Sequence, residues 1–332
     1  MEMLAYKTAK TDYFAPPEPA FERFQPWPAD ATHELVETSY FGFNIPEEGI
    51  NAEIYHWYHP KLGVSSGGVF IYRGMKPVQT AADYLDYRSF MPMPADIVDC
   101  AQSSGVRVDM LEPNKRFRLR YEDAARATHF DFEADAIMPL PVRGNGGHFT
   151  QAMRTRGQLT LRGREYRIDG YFTRDRSWGD PRPEKPLPIP AFTWNVGVFD
   201  DSFAFHTAAF DTPKYHPEWA RTFPAVKAGE NHLWGYIWKN SRLLGIKSVD
   251  QHVQREADGL FPKSVKLRVE DTEGGVHEIN GTVESRIPFN PWDNMTCYFC
   301  LARWECDGKV GYGDLQDCTW NDYVQTAFVS AA

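Results

Sequence analysis

The chain has 332 residues and a formal charge of −9, so it carries no surplus of cations to neutralise a phosphate backbone, which argues against a nucleic-acid partner. With 42% hydrophobic and 24% charged residues it has a globular, not a disordered, composition, and its length suits two domains or one very large one. Aromatic residues reach 14%, and 25 Gly with 24 Pro punctuate too often for long helices, so strands and turns are favoured.

No apolar run approaches the roughly 18 residues that cross a bilayer, and the opening MEMLAYKTAKTDYF lacks a secretory core. An odd number of cysteines (Cys100, Cys297, Cys300, Cys306, Cys318) without such a signal reads as reduced thiols in the cytoplasm.

Residues 1–35 are rich in Pro and charge and read as an irregular lead-in. The G-x-S-x-G match at 63–67 is preceded by HWYHPKL and followed by GGVFIYRG, a hairpin turn into a strand and not a nucleophile elbow. Over 78–90, VQTAADYLDYRSF predicts a short helix with Thr80 as its N-cap. Elsewhere the period is two. Val106, Val108 and Met110 alternate with polar residues, as do Phe117, Leu119 and Tyr121 within KRFRLRY, and Val265, Leu267 and Val269. Such strands have one wet and one dry face and belong to antiparallel sheets. Asn145-Gly146-Gly147, Gly274-Gly275 and the Asp307-Gly308 hairpin signal separate them.

The segment 148–180 concentrates polar groups: His148 and Gln151 first, then Asp169, Arg174, Asp175, Arg176, Ser177 and Trp178. On a strand, Tyr171, Thr173 and Asp175 share one face while Phe172, Arg174 and Arg176 share the other. Asp175 between two arginines reads two ways. One is a structural ion-pair cluster pinning sheet to sheet; the other is a carboxyl group facing an apolar pocket and working as acid, base or orienting anion.

The run His148-Phe149-x-Gln151, then Gly157, then 169-DGYFTRDRSWG-179, resembles the hydroxyneurosporene synthase / carotenoid hydratase type of lipocalin-like protein, the AttH-like group. The stretches 57–74, 192-FTWNVGVFDDSFAF-205 and 311-GYGDLQD-317 fit the same pattern. The resemblance implies an all-β fold of two lipocalin-like antiparallel barrels side by side, with an apolar pocket and chemistry on hydrophobic terpenoid, polyene or polyketide-like molecules without a bound cofactor. It places His148, Gln151, Arg174, Asp175, Arg176 and Trp178 at or near the pocket or the domain junction. The Pro cluster 180-DPRPEKPLPIP-190 suggests a boundary between domains 1–180 and 181–332.

In the second half, His206 alternates with Phe203 and Phe205 and so lies opposite them, reading as a surface or rim histidine ahead of a catalytic one. Trp194, Trp234, Tyr236 and Trp238 read as core or pocket wall, the last three on one strand face. Tyr312 and Asp314 share a face, as a structural pair or a second polar pole of the pocket. Cys297-x-x-Cys300 puts its thiols on opposite strand faces, so buried free cysteines are expected in place of zinc ligands. No metal or nucleotide signature calls for a cofactor.

The expected function is a cofactor-independent lyase, hydratase or isomerase. Asp175 would move a proton and His148 would be the second acid/base, with Arg174 or Arg176 steadying charge. Gln151, Tyr171, Trp178, Trp194, His206, Tyr236, Trp238 and Tyr312 would hold the substrate. The competing expectation is a non-catalytic carrier of a lipid-like metabolite. A small hydrophobic molecule is the expected partner, with a homodimer allowed.

Overall fold

A computed structural model describes residues 13–180, 182, 190–217, 226, 230–257, 259–292 and 294–325. Most of the Pro cluster at 180–190 lies outside the described residues. Strands make up 64% of the structure, and among the described residues no helix reaches seven residues or is long and apolar enough to cross a membrane.

The chain divides into two compact units. The first holds residues 13–73 and 82–182 and the second residues 190–325, together with the excursion 74–81, whose Gly74 carbonyl and Lys76 amide bond the backbone of Arg286.

The first unit is one antiparallel sheet of twelve strands, curled into a half-barrel. Its strands are β1 (Phe14–Ala15), β2 (Glu37–Ile45), β3 (Ile50–His59), β4 (Val64–Arg73), β5 (Tyr84–Pro92), β6 (Cys100–Ala101), β7 (Arg107–Glu112), β8 (Arg116–Asp123), β9 (Thr128–Ala136), β10 (Val142–Arg143), β11 (His148–Leu161) and β12 (Arg164–Ser177). Along the main path the order is β5-β4-β3-β2-β12-β11-β9-β8-β7-β6. The predicted alternation holds: Phe117, Leu119 and Tyr121 enter the core with Phe41, Phe43 and Ile168. The intervening Arg116, Arg118 and Arg120 pair across strands with Glu133, Asp135, Asp131 and Asp109. The KRFRLRY run is therefore a neutralised face and not a basic patch.

The helix expected over 78–90 does not form. A 3-10 turn spans Gln79–Ala81, with Thr80 inside it, and β5 pairs with β4 from Tyr84 onwards. Tyr84, Tyr87 and Phe90 fit a helical spacing, but aromatic residues suit a pleated surface equally well, and the open edge of β4 decides between them.

The second unit is a closed barrel of eight antiparallel strands in chain order. These are β13 (Phe192–Asp200), β14 (Phe203–Phe210), β15 (His232–Lys239), β16 (Arg242–Arg255), β17 (Pro262–Asp271), β18 (Val276–Trp292), β19 (Met295–Cys306) and β20 (Lys309–Trp320). The β19–β20 turn is the Asp-Gly hairpin foreseen: Asp307 and Gly308 have φ of 51° and 75°, the left-handed pair that a two-residue turn of this kind requires.

The lumen of this barrel is filled. Phe205 packs edge-on against Trp304 with centroids 5.0 Å apart. A methyl group at Gly197 or Gly281 would come within 3 Å of Trp304, so only glycine leaves room for the indole. At one end the filling is polar: Arg255 meets Asp211 at 2.8 Å and Asp317 at 2.7 Å, and Gln251 accepts from Thr193 at 2.6 Å. Burial opposes the Arg255 charge, but the two carboxylates outweigh it and raise its pKa. An apolar hollow inside the strands was expected; here side chains occupy that space.

Candidate functional site

In the first unit the sequence candidates gather at one end of β11 and β12. Arg174, 1% exposed, makes a bidentate pair with Glu22, both bonds 2.7 Å. Its Nε donates to Gln151 Oε1 at 2.9 Å, and the guanidinium lies 4.3 Å over Phe117 and 4.8 Å over Phe149. The Gln151 amide donates in turn to the carbonyls of Met138 and Asn114. Arg176 donates to Glu37 Oε2 at 2.6 Å and to the Arg23 carbonyl at 2.9 Å. It stands 5.5 Å from the ring of Trp178, which stacks on Phe21. Burial lowers the Arg176 pKa and raises that of Glu37, each held back by the opposite charge of the other.

The carboxylates that meet the two arginines are therefore Glu22 and Glu37. Asp175 sits between the arginines in sequence but on the opposite face of β12, half-buried and in register with Tyr40 of β2. Adjacent residues of a strand point to opposite faces. Tyr171 lies under the Arg154 guanidinium at 4.6 Å. His148 is buried, its Nδ1 2.8 Å from Ser177 Oγ and its Nε2 3.0 Å from Thr150 Oγ1. The described part of the lead-in thus works as a strap: Glu22 and the Arg23 carbonyl latch it to Arg174 and Arg176 of β12, the Gln25 amide donates to Glu37 of β2, and Phe21 and Phe24 pack on Trp178 and Tyr58.

In the second unit the remaining candidates share the outer face of β20, β13, β14 and β15. His206 pairs in register with Val196 and Tyr236; Ala208 with Trp194 and Trp234; Ala204 with Val198 and Trp238; and Val198 with Tyr312. Phe203, Phe205 and Ala209 point into the core, as the alternation predicted. Ala204 and Ala208 flank His206 on its own strand, and their small side chains leave the surrounding space to the large rings of the neighbouring strands. Trp194, Trp234 and Tyr236 stand 4.6, 5.3 and 5.8 Å from the imidazole. The Trp238 indole donates to the Asp201 carbonyl at 3.1 Å.

His206 is not a rim residue: its exposure is 0%. Its Nδ1 lies 3.1 Å from the Asn195 carbonyl, which can only accept, so Nδ1 carries the proton. Nε2 then presents a lone pair, and it has no hydrogen-bond partner among the described residues. Burial lowers the His206 pKa to about 3, against a smaller upward pull from the Asn195 bond. Asp314, 2% exposed, shares the face of β20 with Tyr312, while Leu315 beside it enters the core.

A pH dependence follows from His206 and from His56, a second buried imidazole 2.7 Å from Ser104 Oγ, whose pKa burial lowers to about 4. In the unfolded chain both take up protons near pH 6.5, the folded chain doing so only near 4 and 3. Their stabilisation is full above pH 6.5, falls by roughly 1.4 kcal/mol per pH unit per histidine below it, and is gone once the folded forms protonate. The melting temperature should drop between pH 7 and pH 5, and His206→Gln should show the smaller drop. An equal drop in both proteins would contradict the burial of a neutral His206.

Three groups were missed from the sequence. Glu22 and Glu37 are the partners of the arginines; Glu53, fully buried, accepts from Tyr40 and Tyr72 hydroxyls and the Asn51 amide. For Glu37 a signal existed, since it alternates in phase with the core residues Phe41 and Phe43.

The family described as a domain of unknown function (DUF7064) matches residues 20–322. The chain belongs to that family. No curated protein sequence matches it. Among solved structures it is similar to kievitone hydratase from Nectria haematococca, at 14% identity and a TM-score of 0.45 over 87% of this chain and 89% of that one. It is similar also to an AttH-type protein from Nitrosomonas europaea, at 14% identity and a TM-score of 0.48 over 86% and 92%. At this identity and with TM-scores under 0.5, these likenesses carry no argument about the reaction.

Proposed function

We propose that the protein is a lyase that adds water to, or removes it from, a hydrophobic unsaturated small molecule, with the chemistry at His206. The observation that carries this reading is a neutral, fully buried imidazole whose Nε2 lone pair has no hydrogen-bond partner among the described residues and is ringed by three aromatic side chains. A base of such low proton affinity rests uncharged. It can hold a water molecule by accepting its hydrogen bond, and aromatic faces stabilise a positive charge nearby.

In the hydration direction Asp314 gives a proton to one alkene carbon, and the rings hold the resulting cation. Water on Nε2 attacks the other carbon and loses its proton to Nε2, and the imidazolium returns a proton to the Asp314 carboxylate. The sum is alkene plus water to alcohol; dehydration is the reverse. Asp314 and His206 lie on strands separated by one intervening strand, roughly 10 Å between backbones. On this reading Asp175 and His148, which the sequence suggested for the proton steps, serve the structure of the first unit.

The test is incubation of the host's extract with the protein in heavy-oxygen water. The expected result is a product heavier than its precursor by one labelled water, or a product lighter by one water. If native mass spectrometry shows a copurifying molecule that the protein leaves unchanged, the carrier reading replaces this one.

A further inference from the structure

The barrel carries a second chemically distinctive feature, independent of the reaction proposed above. Cys297 of β19 and Cys318 of β20 are register partners. Their sulfurs are 3.1 Å apart, both residues are buried, and neither is in a disulfide. Directly opposite residues of an antiparallel pair have Cα atoms about 4.5–5.5 Å apart, inside the roughly 4.4–6.8 Å that a disulfide spans. Closing the bond needs the sulfurs to approach by about 1 Å, with no separation of the strands. The remaining cysteines are placed otherwise: Cys300 and Cys306 point into the barrel core, and Cys100 lies in the first unit with its thiol 2.9 Å from the Asp96 carbonyl.

We propose that Cys297 and Cys318 form a redox modification site, a thiol pair that a peroxide converts reversibly into a cross-strand disulfide. One thiolate attacks the peroxide oxygen, the O–O bond breaks, and a sulfenic acid and water result. The second sulfur displaces the sulfenic hydroxyl as another water. The two sulfurs together lose two electrons, two protons go to the oxygens, and a dithiol reverses the change. Alternation places Cys318 on the same face of β20 as Asp314, so the bond would tie down the strand carrying that carboxyl. Burial raises the Cys297 thiol well above its ordinary value, so thiolate is scarce at neutral pH and the reaction is slow compared with that of an exposed thiol.

The test treats the full chain overnight with hydrogen peroxide, alkylates it in denaturant and digests it without reduction. A linked Cys297–Cys318 peptide is expected, with Cys100, Cys300 and Cys306 still alkylated, the link vanishing on treatment with dithiothreitol. The oxidised chain should melt higher than the reduced one, because the cross-link restricts the unfolded chain. Cys318→Ser, or Cys297→Ser if the first folds poorly, should yield no link. Recovery of both cysteines in alkylated form, or a disulfide through any other cysteine, would overturn the proposal.

Discussion

Arg174→Met is expected to lower stability by about 3–5 kcal/mol, the usual consequence of leaving a buried charge without its partner. For a unit of this size, that corresponds to a fall in melting temperature on the order of 10 °C. Three losses coincide at this position. Glu22, 1% exposed, would be left buried without its counter-ion, Gln151 would lose the donor to its Oε1, and the rings of Phe117 and Phe149 would lose the guanidinium between them. The distinguishing control is the double variant Glu22→Gln with Arg174→Met. Replacing both partners of a buried pair is often close to neutral, so the double variant should recover much of the loss. Were the single variant to melt like the wild type, the strap would contribute nothing to stability.

His206→Gln is expected to cut turnover by about 10²–10⁴ while leaving the fold and ligand binding in place. The glutamine amide can still donate to the Asn195 carbonyl, replacing the bond made by Nδ1. Its carbonyl oxygen can accept a hydrogen bond from water in the aromatic cage but cannot hold a proton there. The substitution thus separates positioning of the water from removal of its proton. A carrier would tolerate it, with ligand retained and no activity to lose. Melting temperature serves as the control, because a collapse of the face built by Trp194, Trp234 and Tyr236 would appear as a broad loss of stability at neutral pH.

Much of this was legible in the sequence wherever the information was local. Alternation placed Phe117, Leu119 and Tyr121 in the core, set Phe203 and Phe205 opposite His206, and put Trp234, Tyr236 and Trp238 on one face. The Asp307-Gly308 turn needed only two residues. What stayed hidden depends on distant pairing. Glu22 finds Arg174 across 152 positions of chain, out of a Pro-rich segment with no period to read. The burial of His206 depends on rings supplied by β13 and β15, which no pattern along β14 announces, although the alanines on either side hint at a space to be filled. The strand at 84–92 is the inverse case: its local spacing fitted a helix and the neighbouring β4 edge overrode it.

On the proposed reading, proton transfer belongs to His206 and not to Asp175. That assignment is tested most directly by comparing heavy-oxygen transfer between solvent and product for the wild type, His206→Gln and Asp175→Asn, at matched concentrations of folded protein. Asp175→Asn is expected to retain turnover within a few-fold while His206→Gln loses it by at least about a hundredfold. Full turnover in His206→Gln, with loss confined to Asp175→Asn, would contradict that assignment.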